Sequence, residues 1–262
     1  MRALDTAATG MRAQELNVQT VAHNIANIRT TGYKKQVAQF QDLLYQDLRR
    51  VGSTSSDTGT IVPTGIQIGS GVKFAATSRV LTVGALDQTQ QPLNLAIRGD
   101  GYFEIQLPDG RTAFTRDGSF ERNQDGLMVT LDGYQVGAGI TIPDDASNIS
   151  ISSDGQVEVI TGDDTQPTNV GQVEVISFVN PNGLEAIGDN LFLETAASGA
   201  PQNNTPGEDG VGDVLQGFLE GSNVDPVGEI SDLISAQRAY ELNSRVIQAA
   251  DEMMQAAGAI TQ

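Results

Sequence analysis

Leu4-Asp5-Thr6-Ala7-Ala8-Thr9-Gly10-Met11-Arg12-Ala13-Gln14-Glu15-Leu16-Asn17-Val18-Gln19-Thr20-Val21-Ala22-His23-Asn24-Ile25 opens the chain, and its reading decides the fold. Leu4, Ala7, Met11, Gln14, Val18, Val21 and Ile25 recur at alternating spacings of three and four, the pattern of a coiled-coil seam. The helix is expected to stop at Thr30-Thr31-Gly32. The far end of the chain carries the same spacing in Leu233, Ala236, Tyr240, Asn243, Ile247, Ala250, Met254, Ala257 and Thr261, after Asp225 and Pro226 as N-cap and first helical residue. At 1.5 Å per residue each helix spans roughly 40 to 55 Å. Both stripes are rich in Ala and interrupted by Gln14 and Asn243. A single helix pair therefore buries little apolar area, and many copies packed together do better.

Between the helices lies Gly-punctuated β sequence, so the fold class is α+β: terminal helices paired as a coiled-coil-like element, an inserted all-β domain and an extended arm. The division expected is residues 1–32 with 225–262 as a discontinuous helical domain, 33–92 as arm or linker, 93–197 as antiparallel β domain and 198–224 as a return loop. Tyr33 to Leu48 is apolar at intervals and permits a short helix or an extended segment. Residues 49–72, with Gly52, Pro63 and Gly65, lack helical periodicity and read as a flexible linker or as an arm that orders against neighbouring subunits. From Leu93 onward, apolar alternation is punctuated by Asp-Gly at 100/101, 109/110, 117/118, 125/126 and 132/133, predicting type I′ hairpin turns of a meander. Further strands are expected near 149–153, 156–161 and 171–179.

Composition narrows the function. The 262 residues carry a net charge of −18, and residues 99–223 hold 3 basic against 21 acidic side chains. This balance argues against a nucleic-acid partner and describes an acidic, solvated middle between less charged ends. No apolar run approaches the roughly 18 residues of a membrane span, and the start Met1-Arg2-Ala3-Leu4-Asp5 lacks the apolar region of a secretory signal. The absence of cysteine excludes disulfides, zinc-thiolate sites and thiol catalysis.

No motif calls for an enzyme, a cofactor or a metal. The Asp-Gly turns lack the calcium-repeat period and the closing Glu of an EF-hand. Gly69-Ser70-Gly71-Val72-Lys73 and Gly99-Asp100-Gly101 touch the edges of phosphate-loop patterns without completing one. His23 is the only histidine and cannot form a metal site alone. Asp144/Asp145 and Asp163/Asp164 sit beside turn residues, where solvated charge is the ordinary reading and a glycosidase pair the exceptional one.

Two segments carry a family resemblance: Ala26-Asn27-Ile28-Arg29-Thr30-Thr31-Gly32-Tyr33-Lys34, and Ser235-Ala236-Gln237-Arg238-Ala239-Tyr240-Glu241-Leu242-Asn243-Ser244. Together they resemble the start and end signatures of the axial proteins of the bacterial flagellum, the rod and hook family, with His23-Asn24-Ile25 where that family has N-N-L. Ala96 to Phe103 and Phe114 to Phe120 are similar to the start of the family's β domain. The length, Gln41 to Gln46, Gly183 to Gly188 and Ser198 to Gly217 are most similar to its distal-rod branch. The resemblance implies a structural subunit, not an enzyme, stacking with its own copies into a helical tube. That tube is the hollow drive shaft crossing the periplasm. It also implies neighbouring proximal rod and hook proteins, surrounding P and L rings, and delivery by the flagellar type III export apparatus without a cleaved signal. A hook or proximal rod subunit is the alternative. The terminal stripes, with Asn27, would be the assembly interface, and the arm near 46–72 would brace neighbours.

Overall fold

The structure is a computed structural model that describes residues 2–49, 64–162, 166–208 and 210–260. The chain divides into two units, one of Met1–Ile25, Gln36–Ser78 and Asp225–Gln262, the other of Ala26–Lys35 and Arg79–Val224. The first holds helix α1 (Arg2–Ala26), strands β1 (Gln36–Asp42), β2 (Tyr45–Arg49), β3 (Ile66–Gly69) and β4 (Val72–Arg79), and helix α2 (Pro226–Ile260). Asp225 caps α2: its carboxylate oxygens accept from the backbone N–H groups of Val227 at 3.2 Å and Gly228 at 3.1 Å. Two of the helix's orphan donors are thereby satisfied, and Pro226 occupies the first turn, where its missing N–H costs nothing.

The ambiguous stretch after Gly32 resolves as strand. β1 pairs with β4, and β2 pairs antiparallel with β3, Tyr45 opposite Gly69 and Arg49 opposite Ile66. Gly65 begins the return into β3, whereas Gly52 and Pro63 lie outside the described residues. Phe40 and Phe74 meet edge to face at 5.8 Å between the paired strands. Thr9 of α1 accepts a bond from the Val72 N–H at 3.3 Å, joining this ladder to the helix.

The second unit is all β: β5 (Leu86–Gln88), β6 (Leu95–Arg98), β7 (Tyr102–Gln106), β8 (Thr112–Thr115), β9 (Phe120–Arg122), β10 (Met128–Thr130), β11 (Gln135–Val136), β12 (Ala146–Ile151), β13 (Gln156–Thr161), β14 (Thr168–Gln172), β15 (Val175–Ser177), β16 (Glu185–Gly188), β17 (Leu191–Leu193), β18 (Gln202–Asn204), β19 (Asp213–Gln216) and β20 (Phe218–Glu220). The main sheet runs β16-β17-β8-β7-β11-β10-β9, with β15 also on β7 and β18 on β15. β12-β13-β14 form a second sheet, while β19 pairs β6 and β20 pairs β5.

Alternation along the central strands buries both faces of the main sheet. Phe103 and Ile105 of β7, Ala113 of β8 and Val175 of β15 enter the larger core with Leu95, Ile97, Phe120 and Met128. Tyr102, Phe114 and Ile176, the neighbours of opposite parity, form a smaller cluster with Phe178 and Leu184. Phe103 and Phe120 pack edge to face at 5.2 Å.

The turns correct two expectations. Only the Asp-Gly pairs at 109/110, 125/126 and 132/133 close hairpins, β7-β8, β9-β10 and β10-β11. In each, glycine alone takes the left-handed conformation (φ +83, +78 and +85) and donates three residues back, so these are type I turns ending in a left-handed glycine, not type I′. The type I′ loop is Asp189-Asn190 (φ +52 and +59) between β16 and β17. The pairs at 100/101 and 117/118 end no hairpin, because β6 pairs with β19 and β8 with β7 and β17. Gly118 is there for closeness: a Cβ would stand 1.6 Å from the Leu95 carbonyl oxygen.

The stretch 198–224, expected as a return loop, contains β18, β19 and β20. Its strands, of three or four residues, are too short for a readable apolar alternation and are held by strands earlier in the chain, β15, β6 and β5. Likewise 33–92 is no single arm, since β1–β4 belong with the helices apart from Arg79, and β5 belongs with the β body.

Candidate assembly interface

Small residues set how α1 meets α2. Ala7, Ala13, Val21 and Asn24 of α1 and Glu229, Ala236 and Ala250 of α2 are buried. Gly10 lies so near Asn243 that a Cβ on it would stand 3.0 Å from that side chain. The Asn24 side-chain N–H donates to the Glu229 carboxylate at 3.0 Å. Gly10 to Asn24 and Glu229 to Asn243 are equal steps of fourteen residues taken in opposite senses, so the helices run antiparallel. Asn24 also binds β1, donating to the Gln36 carbonyl at 2.8 Å and accepting from the Gln36 N–H at 2.9 Å.

On α1, Leu4, Met11, Gln14, Val18 and Ile25 are half-buried, beside buried Ala7 and Val21. Asn27, also half-buried, accepts a bond from the Thr30 hydroxyl at 3.1 Å in the turn after the helix. The contacts to Glu229 and Asn243 come from the adjoining row of Gly10, Ala13, Asn17, Thr20 and Asn24, one position earlier than the predicted stripe. On α2, Leu233, Asn243 and Ile247 are half-buried and line up with buried Ala236 and Ala250. Tyr240 and Met254 are exposed at 44% and 50%. By the register just described, α1 runs out opposite residue 251, so Met254 lies past its end.

A second set of apolar side chains lies outside this seam. Val227, Ile230, Ile234, Leu242, Val246 and Met253 are exposed on α2; at 100° per residue Val227, Ile230 and Ile234 lie on the side opposite Glu229 and Ala236, whereas Val246 and Met253 flank buried Ala250. In the ladder, Phe40, Leu44, Tyr45, Leu48, Ile66 and Ile68 are exposed as well. Large apolar side chains exposed in such number on a chain of net charge −18 mark a protein interface.

The remaining signature residues converge in the β unit. Lys34 Nζ lies 2.6 Å from Glu220 Oε1 and Arg116 lies 2.9 Å from Glu220 Oε2, with no side chain of the three more than 3% exposed. Lys34 donates also to the Thr82 carbonyl, Arg116 to the Gly99 and Gly101 carbonyls, and the Gly84 N–H to Glu220. Burial pushes the Glu220 carboxyl up, but the Arg116 and Lys34 charges and the bonds from Lys34 and Gly84 outweigh it and hold it below the usual carboxylate range. Burial, then the Arg116 charge, lower Lys34 despite Glu220. Gly32 (φ +66) rests on the Arg116 backbone and donates its N–H to the Glu220 carbonyl at 2.8 Å. The cluster thus joins the segment after α1, the β8 end and the return strand β20. Sequence reading singled out segments containing Lys34 and Arg116; Glu220 sits in no motif.

Among the described residues, no group of three or more His, Asp or Glu is arranged to hold a metal ion, and no helix is long and apolar enough to cross a membrane.

Helices at both termini and an inserted β unit that holds the Lys34, Arg116 and Glu220 cluster are the architecture of a structural subunit. The chain belongs to the bacterial flagellar rod and hook family. Residues 4–34 match the family description "Flagella basal body rod protein", 96–159 "Flagellar hook protein FlgE/F/G D1 domain" and 215–260 "Flagellar basal body rod FlgEFG protein C-terminal". It is similar to the flagellar basal-body rod protein FlgG of Caulobacter vibrioides, 56% identical over 98% of both chains. It is likewise similar to FlgG of Agrobacterium fabrum, at 50% over 97% of both, and of Borreliella burgdorferi, at 46% over 97% of this chain and 96% of that one. It is a structural rod subunit of the flagellar basal body, not an enzyme.

Proposed function

We propose that copies of this chain stack helically through their terminal helices into the hollow distal rod, the shaft that transmits torque across the periplasm and encloses the export channel. The observation that carries this reading is the exposed apolar set on α2, which the chain's own α1 leaves uncovered. Contacts that repeat without closing build a filament, and a face of this kind on every copy supplies them. The predicted stripes from Leu4 to Ile25 and from Leu233 to Met254 are the seams of this assembly. The 1–32 and 225–262 segments form its inner helical layer, and the acidic 93–197 region its outer surface. The exposed apolar residues of β1–β3, with the arm from Gly52 through Pro63 to Gly65, brace neighbouring copies. The P and L rings surround this shaft, proximal rod and hook proteins adjoin it, and the type III apparatus exports the subunit with its amino terminus intact. A hook or proximal rod position is less well supported, because the relatives reported above are basal-body rod proteins along nearly their whole length.

The test is a full-length chain carrying Ile230→Asp and Leu242→Asp, compared with wild type by sedimentation and electron microscopy. Loss of rods with an unchanged β-unit melting transition is the expected result. Normal rods from the double variant would remove α2 from the interface.

A further inference from the structure

We infer that Asn24 sets the register of α1 against α2, selecting one antiparallel alignment from several that the small-residue seam tolerates. Gly10 meets Asn243, and the other buried side chains of the two helices beside that contact, Ala7, Ala13, Ala236 and Ala250, are small, so the seam has little relief. Small side chains interlock weakly, so a slide of one helical turn exchanges one shallow contact for another. A buried polar position behaves differently, since it is satisfied in one alignment only, and this is how a single Asn fixes register in coiled coils. Asn24 is 1% exposed and so is Glu229. Its amide oxygen is taken by the Gln36 N–H and its N–H donors by the Gln36 carbonyl and the Glu229 carboxylate. Asn24 is thus held by β1 and offers α2 a donor at one fixed height. A slide of α2 that brings Ile247 to Gly10 brings Leu233, which has no side-chain acceptor, to Asn24, and the opposite slide, which brings Ala239 to Gly10, brings Asp225, ahead of the helix and with its carboxylate already engaged by the Val227 and Gly228 N–H groups. Asn24 is a positioning residue, acting through the alignment it imposes on the whole seam.

The chain contains no cysteine, which makes the register directly readable. In the full-length chain, Gly10→Cys is combined with Asn243→Cys to report the observed alignment, or with Ile247→Cys or Ala239→Cys to report slides of one turn. Intrachain disulfides are then quantified on gels that separate them from interchain products. The native pair is expected to dominate in the otherwise unaltered chain. Asn24→Leu should lower the ratio of native to slid products by about tenfold or more, the scale set by a buried polar group losing its partner. Glu229→Gln retains an oxygen acceptor and should keep the native ratio. A merely stabilising role for Asn24 would reduce all products alike, and that result overturns the inference. So does an unchanged ratio in Asn24→Leu, or a failure of the Gly10–Asn243 pair to form in the unaltered chain.

Discussion

Glu220 stands between Lys34 and Arg116, its two carboxylate oxygens divided between them at 2.6 Å and 2.9 Å. Removing the negative charge leaves two buried cations facing each other. Glu220→Gln is therefore expected to cost about 3 to 5 kcal/mol of stability, the range for breaking a buried ion pair from one side. Urea unfolding followed by tyrosine fluorescence measures it. A loss below about 1 kcal/mol, the value of an exposed pair, would mean that the site is wet.

The same carboxylate makes stability acid-sensitive with a definite sign. Because its folded pKa lies below the ordinary value of 4.5, the unfolded chain binds the proton more readily. Its contribution is complete above the ordinary carboxylate range and is lost as the pH falls from there through the depressed folded value. Lys34, lowered from 10.5, works the other way at the alkaline end: folding disfavours its proton, and that penalty disappears as the pH rises through its folded value toward 10.5. Unfolding free energies of wild type and Glu220→Gln, measured from neutral pH downward, should converge in acid. Parallel curves would assign the acid sensitivity to other groups.

Gly32→Ala tests the junction where α1 gives way to the β unit. Its φ of +66 is left-handed, and a Cβ would come within 2.7 Å of the Arg116 carbonyl carbon, which as backbone cannot swing aside. Strain of this type costs of order 1 to 3 kcal/mol, and the contact adds to it. Thermal melting should drop by several degrees, and an unchanged transition would show that the Gly32 turn moves freely.

Regular elements were legible in the sequence where one periodicity dominated. The helix from Arg2 and the cap at Asp225 follow from seam spacing and capping chemistry, and β13 from the alternation of Val157 and Val159. What escaped depended on pairings across long separations. The Asp-Gly pair at 117/118 looks like a hairpin turn until β6, arriving from elsewhere in the unit, is seen to need the space at Gly118. Strands β18 to β20 have almost no pattern of their own. Lys34 and Glu220 are 186 residues apart, and local sequence offers no reason to connect them. Apolar spacing places the seam on one row of α1, yet the contacts to Glu229 and Asn243 come from the row beside it. The smallness of Gly10 and the polarity of Asn24 make those contacts, whereas periodicity scores only apolarity.

The charge cluster also has an order in time. A chain made or threaded amino end first presents Lys34, then Arg116, and only 104 residues after Arg116 the carboxylate that neutralises both. Until then, bringing Lys34 and Arg116 to their final positions sets like charges together in a dry site, which Coulomb repulsion and desolvation both oppose. The segment carrying Gly32 and Lys34 therefore gains a stable seat on the β unit only once β20 has arrived. A chain cut short before Glu220 lacks the carboxylate that neutralises Lys34 and Arg116, so the cost of their burial falls on the truncated chain in full.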